Sequence, residues 1–486
     1  MRTAAWHRRL WLALPLALYL LVPTRNYYWD GLTFAINIEK RLPLRELLSP
    51  SHLIYPVVGL WLYKAALLIG LKTRALFLLQ TANAVMAGAC VPLVERALRR
   101  RGASTGAAVA GALAFAFAAT WWKFATDANA YVPAILLVLC ANHLLETRRS
   151  AWWAGLANAA AMLFHQLAIL YLVVALVRLK APSSAMSGAA GARAPATSRG
   201  RKGAVSLLIY AAAALAPVAA VFLLAYRTVS GGLDLTGLPA WLTTHSPDAG
   251  FSFAPVSGLA LTLRGTLRLF FGGKVGSPWA ALGVVAGVVL VWRFSRPEAS
   301  QPARHESLPD LVWLGVYVAF LFFWMPQNTF YRLFYLAPLV FLAAGRVNRR
   351  LLRLLCAALF LWNAVFLIYP QSRVENNVPL RFALAQRDRW PSGTPIAFHQ
   401  FHPDLWTISY FNPQASWIGL PAMDVAVLER SRADAGQRGQ PLWLEATAYD
   451  LAIADEAGRR WLASHPVTQT VRFKDPRHEY RFYEVR

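Results

Sequence analysis

The opening stretch MRTAAWHRRLWLALPLALYLLVPTRNYYWDG, residues 1–31, decides the fold class of this chain. Basic residues precede an apolar run over 10–23, and aromatic residues with Asp30 follow it. This order is typical of a segment that crosses a membrane with its N-terminal end in the cytoplasm. No small-x-small cleavage site follows the run, so we expect an uncleaved signal anchor that delivers Asp30 to the outer surface.

Apolar runs like the first one recur from residue 10 to residue 370. The chain has 486 residues, of which 57% are hydrophobic, and its mean hydropathy is +0.39. Runs approaching about 20 apolar residues indicate membrane-spanning helices. Lipid offers no partner to unpaired backbone groups, so helical spans are the form that this composition favours. We therefore predict an α-helical polytopic membrane protein.

The net charge of +25 is distributed unevenly along the chain. Residues 371–486 hold 14 Lys/Arg and 13 Asp/Glu, whereas residues 1–370 hold 35 and 11. The basic residues of the larger part concentrate in short segments between apolar runs, which is the positive-inside pattern of membrane insertion. This distribution excludes nucleic acid as the partner that the charge would otherwise suggest.

Basic clusters on the cytoplasmic side require an even number of crossings between neighbouring clusters. The clusters are Arg2/Arg8/Arg9, Arg96/Arg99/Arg100/Arg101, Arg148/Arg149, Arg178 to Lys202, Arg293/Arg296/Arg304 and Arg346/Arg349/Arg350/Arg353. The apolar segments that satisfy this rule are 10–23, 75–97, 104–122, 130–147, 150–164, 166–180, 204–226, 276–294, 310–325, 330–345 and 351–370. The prediction is therefore about eleven spans, with the N-terminus inside and residues 371–486 outside.

Residues 52–71 are apolar enough to span, but counting them would place the later basic clusters outside. Trp61 and Lys64 suit a helix that lies in the membrane interface instead. We expect 24–74 to be an outer loop with juxtamembrane helices and 181–203 to be a flexible cytoplasmic loop. Residues 1–370 then form a membrane domain.

The composition changes beyond Pro370, where we predict an extracytoplasmic α/β domain over 371–486. The predicted strands are 394–400, 406–412, 441–446 and 478–485, and the predicted helices are 424–435 and 450–464.

The predicted topology brings unusual polar residues of four loops to the outer side. These are Asp30 and His52 in the first loop, Lys123 and Asp127 in the loop over 121–127, His165-Gln166, and Asn328, Tyr331 and Arg332 in the turn over 326–332. A carboxylate can act as general base for a hydroxyl group, and Arg and Lys can hold a phosphate. The set therefore suits group transfer from an anionic lipid phosphate.

Each of these residues also has a simpler explanation. Asp30 suits a solvated loop, Asp127 suits the cap of a helix that begins near Ala130, and His165 suits a tight turn. Tyr331 and Arg332 suit interfacial anchors, and Trp121-Trp122 an aromatic belt. Asn83, Asn158 and Asn363 lie at depth in the spans, but we see no paired charges there, which argues against a transport pathway.

Several motifs resemble the GT-C superfamily of polyprenyl-phosphate-sugar glycosyltransferases, which includes the protein O-mannosyltransferases and the aminoarabinose transferases of lipid A. The motifs are Trp29-Asp30-Gly31 after the first span, the 51–56 stretch Ser-His-Leu-Ile-Tyr-Pro, Phe124-Ala125-Thr126-Asp127, the short helices around His165, and the 326–332 turn. The resemblance covers the architecture of 1–370.

The resemblance implies roles for individual residues. Asp30 would be the catalytic base and Asp127 a second carboxylate that positions acceptor or donor. Donor-phosphate contacts would come from His52, Lys123, Asn328, Tyr331 and Arg332. The candidates to line the substrate are Tyr27, Tyr28, Tyr55, Trp122, His165 and Gln166. Some members require a divalent cation, such as Mg²⁺ or Mn²⁺, for which Asp30, Asp127 and His165 are the candidate ligands.

The resemblance thus implies an inverting, mannosyltransferase-like enzyme that moves a hexose or pentose from a polyprenyl phosphate. The acceptor would be a protein, glycolipid or other glycan of the cell envelope. The absence of cysteine outside the predicted spans fits a bacterial inner membrane that faces a periplasm, with an organelle membrane that faces a lumen as the alternative. Two alternatives remain open: a non-catalytic scaffold with an outer binding domain, and a transporter or flippase of lipid-linked sugars.

Overall fold

The computed structural model describes residues 2–147, 149–180, 196–232, 234–243, 253–273, 307–344, 349–475 and 478–486, with single positions at 251, 283, 286, 287, 289, 290, 293 and 347. The chain divides into two compact units. The first comprises Met1–Pro23 and Asn37–Tyr369, and the second comprises Thr24–Ile36 and Pro370–Arg486. Most of the predicted span over 276–294 and of the predicted loop over 181–203 lies outside the described residues.

The first unit consists, in its described residues, of helices joined by turns. The helices are α1 Arg2–Leu21, α2 Trp29–Glu39 (which begins in the second unit), α3 Leu44–Leu47, α4 Tyr55–Leu68, α5 Ala75–Arg100, α6 Thr105–Ala116, α7 Ala119–Ala125, α8 Tyr131–Glu146, α9 Ala151–Phe164, α10 Tyr171–Lys180, α11 Ala196–Ser230, α12 Leu238–Thr243, α13 Pro255–Phe270, α14 Ser307–Trp324, α15 Leu333–Ala344 and α16 Arg349–Asn363. Short 3₁₀ turns occur at Pro50–His52, Gln166–Leu170 and Phe330–Arg332.

Four of the described helices are long and apolar enough to cross a bilayer. They are Ala75–Arg100, Gly203–Ser230, Ser307–Trp324 and Arg349–Ser372, and the pair α6 and α7 makes a fifth if it is taken as one bent span. Four shorter apolar helices accompany them: Tyr55–Leu68, Tyr131–Glu146, Ala151–Phe164 and Phe330–Ala344. The helical, multi-span character of the chain agrees with the sequence, while the count of eleven stays a prediction.

The predicted span over 104–122 is wrong as one continuous helix. α6 ends at Ala116, α7 starts at Ala119, and the two helices are bent by 67°. The break leaves carbonyl groups without helical partners. The Tyr19 hydroxyl donates to Ala116 O at 2.7 Å, and Asn363 Nδ2 donates to Phe117 O at 2.8 Å. Buried side chains thus replace the hydrogen bonds that lipid could not supply.

A cluster of four buried charges joins the ends of α5, α8, α10 and α14. We name Arg101, Glu146, Arg178 and Asp310 the four-charge cluster; their side chains are between 2% and 11% exposed. Arg101 Nε and Nη2 bind the two carboxylate oxygens of Asp310 at 2.6 and 2.7 Å, and Arg101 Nη1 binds Glu146 at 2.7 Å. Arg178 Nη2 reaches Asp310 at 2.8 Å. Paired charges therefore occur at the ends of these helices, whereas the expectation from the sequence concerned the depth of the spans.

The second unit contains a five-stranded sheet in the order β2-β1-β3-β5-β4. The strands are β1 Pro395–His399, β2 Ser416–Leu420, β3 Leu442–Glu445, β4 Val467–Asp475 and β5 His478–Val485. β1, β2 and β3 are parallel, and β5 pairs antiparallel with β3 and β4. The helices are α17 Tyr369–Ser372 (which begins in the first unit), α18 Val378–Ala385, α19 Pro403–Phe411, α20 Val425–Gly436, α21 Ala446–Ala454 and α22 Glu456–Ser464, with a 3₁₀ turn at Val374–Asn376.

Alternate residues of the sheet pack into two separate cores. Ile396 and Phe398 of β1 contact the residues of α18 and α19, whereas Ala397 contacts the core formed with α20, α21 and α22. Successive side chains of a strand point to opposite faces, so one strand contributes to both cores. The predicted α/β class of this region is therefore confirmed as an arrangement of helices on both faces of one sheet.

Two element predictions in this region are wrong. Residues 406–412 are not a strand but lie mainly in α19, where Pro403 occupies the first turn and Leu405 and Ile408 pack into the core. Pro at that position and apolar residues three apart favour a helix. The predicted helix over 450–464 is two helices, because Asp455 interrupts it and caps α22 by accepting from Gly458 N–H at 2.9 Å.

Candidate active site

Aromatic and imidazole rings from separate segments of the first unit meet around Tyr131, which starts α8 and is 1% exposed. The Tyr131 ring centroid lies 4.7 Å from that of His165, 5.7 Å from His52, 5.4 Å from Phe330 and 6.0 Å from Tyr331. The two imidazole centroids are 5.0 Å apart. We name these five residues the Tyr131 cluster. These residues come from three of the four predicted loops, and Phe124 of the fourth also contacts Tyr131 at 5.4 Å. Tyr131 itself is not among the residues predicted from the sequence.

His165 joins α9 to the turn Gln166–Leu170. Its side chain is buried, and Nδ1 accepts a hydrogen bond from the Leu167 N–H group at 3.2 Å. An Nδ1 that accepts leaves the proton of the neutral ring on Nε2. His165 therefore caps a turn, as its simpler explanation predicted. Its ring also contacts the other rings of the Tyr131 cluster. Gln166 is the first residue of the turn.

Asp127 is fully buried between α7 and α8. Its Oδ1 atom accepts from Ala128 N–H at 2.8 Å. The cap of α8 is supplied instead by Asn129, whose Oδ1 atom accepts from the N–H groups of Tyr131 and Val132 at 3.1 Å each. The explanation of Asp127 as a helix cap is therefore wrong.

Buried amides of α5 hold the backbone beside Asp127. Asn83 Nδ2 donates to Asp127 O and Asn129 O at 2.8 Å each, and Gln80 Nε2 donates to Thr126 O at 3.0 Å. The Tyr55 hydroxyl donates to Asn83 Oδ1 at 3.4 Å. From the sequence, Asn83 is recognisable only as a polar residue at depth, since no local pattern reveals which carbonyl group a buried amide will reach.

The predicted loop over 121–127 is wrong as a loop, because residues 119–125 form α7. Trp122 is 2% exposed, and its ring lies parallel to that of Phe360 with a centroid distance of 5.7 Å. The ring partners of Trp122 are thus Phe360, Phe117 and Tyr19, none of which belongs to the Tyr131 cluster. Phe124 meets Tyr131 edge-on at 5.4 Å, and Lys123, on the same short helix, is partly buried.

Arg332 is fully buried rather than interfacial, so its explanation as an anchor is wrong. Nη1 donates to the Tyr335 hydroxyl at 2.6 Å, and Nη2 donates to Pro326 O at 2.5 Å and Leu261 O at 3.3 Å. The guanidinium lies directly on α13 at Gly265, where an added Cβ would be 2.1 Å from Arg332 Nε.

Asn328 bonds within its own turn. Its Nδ2 atom is 3.4 Å from Met325 Sδ, and its N–H group donates to Met325 O at 3.1 Å. In the structure it therefore stabilises the turn that precedes Arg332.

Asp30 belongs to the second unit, where it is half-buried in the first turn of α2. Its carbonyl oxygen accepts from the Thr33 hydroxyl at 2.9 Å. Tyr27 stacks on Phe411 of α19 with a centroid distance of 5.7 Å, and Tyr28 meets Trp29 edge-on. The segment that carries Asp30 thus packs with residues from beyond Pro370.

No three His, Cys, Asp or Glu side chains come together as a metal site among the residues that the structure describes. Asp30, Asp127 and His165 therefore do not form a recognisable metal-ligand set in the described part of the chain.

The structure is similar to that of ArnT from Cupriavidus metallidurans bound to undecaprenyl phosphate. The TM-score is 0.63 at 12% sequence identity, and the likeness covers 99% of this chain and 98% of ArnT. The apo state of the same protein gives the same values. The chain has the ArnT fold. This finding confirms, at the level of fold, the resemblance to GT-C glycosyltransferases.

Other comparisons add less. The oligosaccharyltransferase of Archaeoglobus fulgidus in its apo form matches with a TM-score of 0.45 at 11% identity, over 98% of this chain and 74% of that one, a likeness too low to carry an argument. No protein-family model and no curated protein sequence matches the chain. At these identities, the likeness to ArnT establishes the fold and leaves the activity to be argued from the residues.

Proposed function

We propose that this chain is a membrane glycosyltransferase that moves a sugar from a polyprenyl-phosphate donor to an acceptor on the extracytoplasmic face. The observation that carries the proposal is the ArnT fold over 99% of the chain, since ArnT was solved with undecaprenyl phosphate bound. The residues of the first unit add chemical support, because aromatic faces and imidazole N–H groups suit a sugar ring and its phosphate.

The proposed donor-phosphate contacts come from His52, Lys123, Asn328, Tyr331 and Arg332. No carboxylate in the described part of the chain lies within ion-pair distance of Arg332, although the residue is fully buried. Its hydrogen-bond partners are neutral oxygen atoms, and a buried cation with only neutral partners favours an anion nearby. A lipid phosphate would supply that anion.

In the proposed reaction, Asp30 acts as general base, the role that the GT-C resemblance gives it. It accepts the proton of an acceptor hydroxyl group, whose oxygen attacks the anomeric carbon of the sugar. The new glycosidic bond forms as the bond from that carbon to the phosphate oxygen breaks, and the electron pair leaves with the polyprenyl phosphate. Attack opposite the leaving group inverts the anomeric configuration. Asp127 is proposed as the second carboxylate, which positions donor or acceptor.

The proposed location is a bacterial inner membrane, with the N-terminus in the cytoplasm and the second unit in the periplasm. One hydrogen bond supports this arrangement. Arg25 follows the first predicted span and Gln371 follows the last predicted span, and the Arg25 N–H group donates to Gln371 O at 2.7 Å. Two backbone groups that bond directly lie on the same side of a membrane. This bond supports an even number of crossings between residues 25 and 371, the number that the predicted topology requires.

The test is a transfer assay on the purified full chain. Radiolabelled polyprenyl-phosphate sugars are incubated with wild type, with Asp30→Asn and with Asp127→Asn, and loss of sugar from the lipid is followed. We expect wild type to consume at least one donor, and Asp30→Asn to lose that activity while it keeps the thermal midpoint of wild type.

Asp424→Asn is the matched control. Asp424 caps α20 through its carboxylate, and Asn caps a helix equally well, so activity should persist. If wild type consumes no donor and binds none in thermal-shift measurements, the glycosyltransferase proposal is wrong and a scaffold becomes the better description. Retained turnover in folded Asp30→Asn would remove Asp30 as the base.

A further inference from the structure

The backbone between α7 and α8 is held by hydrogen bonds from buried amide side chains. The carbonyl groups of Thr126, Asp127 and Asn129 accept from Gln80 or Asn83, and all three bonds are between 2.8 and 3.0 Å long. Asn83 is fully buried, and Gln80 is 5% exposed. Residues three apart on a helix share one face, so α5 presents both amides to this segment.

Asn83 makes the larger contribution because it binds two carbonyl groups of this segment. One amide group donates to the carbonyl of Asp127 itself and to that of Asn129, two residues later. Asn129 Nδ2 adds a second donor to Asp127 O at 3.0 Å. The carboxylate end is fixed as well, because Oδ1 accepts from Ala128 N–H. The backbone of Asp127 therefore has little freedom to rotate.

We propose that Asn83 is a positioning residue that fixes Asp127 for sugar transfer by holding its backbone, without touching the substrate. This inference rests on the proposed function. Removal of the amide would leave the buried Asn129 carbonyl without this donor and the Asp127 carbonyl with Asn129 Nδ2 alone, and the segment would shift to find new partners. Displacement of a reacting group by about 1 Å can reduce turnover about 100-fold.

Asn142 provides a matched control within the same unit. It is also a buried Asn with two side-chain hydrogen bonds, to Glu146 at 2.9 Å and from the Tyr171 hydroxyl at 3.0 Å. It lies near the opposite end of α8 from Asp127. Asn→Leu at either position keeps the branched shape and removes the donor and acceptor atoms.

Donor consumption and thermal stability are measured for wild type, Asn83→Leu and Asn142→Leu. We expect both variants to lower the thermal midpoint, but only Asn83→Leu to lower kcat by about 100-fold, with the KM for the donor changed by less than about threefold. If Asn83→Leu does not fold, Gln80→Leu removes a single bond from the same segment, and a smaller loss of kcat in the same direction is expected. The proposal is overturned if kcat of Asn83→Leu stays within about threefold of wild type. If Asn83→Leu does not fold, the same criterion applies to Gln80→Leu.

Hydrogen exchange of the peptide over 119–132 gives a readout that does not depend on turnover. We expect faster exchange in Asn83→Leu and unchanged exchange in Asn142→Leu, and equal exchange in both would contradict the proposed anchoring. A wild type that consumes no donor refutes the proposed function and with it the role in transfer. The exchange measurement then decides separately whether Asn83 holds this segment.

Discussion

Asp310→Asn should destabilise the first unit by about 3–5 kcal/mol, the usual cost of removing one partner from a buried ion pair. Asp310 has a 2% exposed side chain and accepts three charge-assisted hydrogen bonds, at 2.6, 2.7 and 2.8 Å. Asn at this position keeps one acceptor oxygen and directs an N–H₂ group toward cations. Arg101 and Arg178 would then share the single charge of Glu146.

The control is a solvent-exposed pair of the same chemistry. Glu456 and Arg460 lie 3.7 Å apart on α22, with side chains 77% and 76% exposed. Screening by water limits such pairs to about 0–1 kcal/mol, so Glu456→Gln should change stability very little. Both variants are unfolded with denaturant in detergent micelles, and loss of helical circular dichroism is followed. Because the protein has two units, the apparent midpoints are compared rather than one two-state free energy.

A double variant tests whether the loss arises from charge imbalance. Asp310→Asn combined with Arg178→Met removes one charge of each sign, so Arg101 and Glu146 remain as a neutral pair. We expect part of the lost stability to return, with a coupling of about 0.5–3 kcal/mol between the two positions. A midpoint for Asp310→Asn equal to that of Glu456→Gln, or strictly additive effects in the double variant, would refute this reasoning.

Two further predictions concern topology and packing. A cysteine introduced into 181–203 should be shielded from membrane-impermeant thiol reagents in intact cells and one in 420–440 should react, whereas the reverse labelling would overturn the topology. Gly265→Ala should cost about 1–3 kcal/mol by overpacking, because its Cβ would meet the Arg332 guanidinium. Gly315→Ala, which has no neighbouring atom within 4 Å, should be neutral or slightly stabilising, and equal melting midpoints for the two variants would contradict the packing argument.

The sequence predicted best what charge and hydropathy determine over long distances. The positive-inside rule placed His52, His165 and Tyr331 on one side of the membrane, and in the structure they meet around one tyrosine. The likeness to ArnT in fold was likewise foreseen from short motifs. The topology and the fold likeness were both predicted from charge, hydropathy and short motifs. These can be read from the sequence without knowledge of which residues come into contact.

What the sequence missed depends on partners that are distant along the chain. The break between α6 and α7 falls inside an uninterrupted apolar run, and the side chains that stabilise it, Tyr19 and Asn363, lie on α1 and α16. The Asn83 bonds to the backbone beside Asp127 span more than 40 residues. Periodicity describes one segment at a time, so it cannot reveal such pairs. The strands β2 and β4 were also missed, and β4 is rich in polar residues.

The second unit is discontinuous along the chain, and this sets an order of events during biosynthesis. Residues 24–36 leave the ribosome early, but the residues they pack against, Phe411 among them, follow only after all of 37–369 has been translated. At roughly 5–20 residues per second, the interval is about 20–70 s. Throughout it, the segment that carries Asp30 lacks the contacts that hold it in the finished protein. A nascent chain can thus insert its spans before the segment that carries the proposed base gains its contact with Phe411.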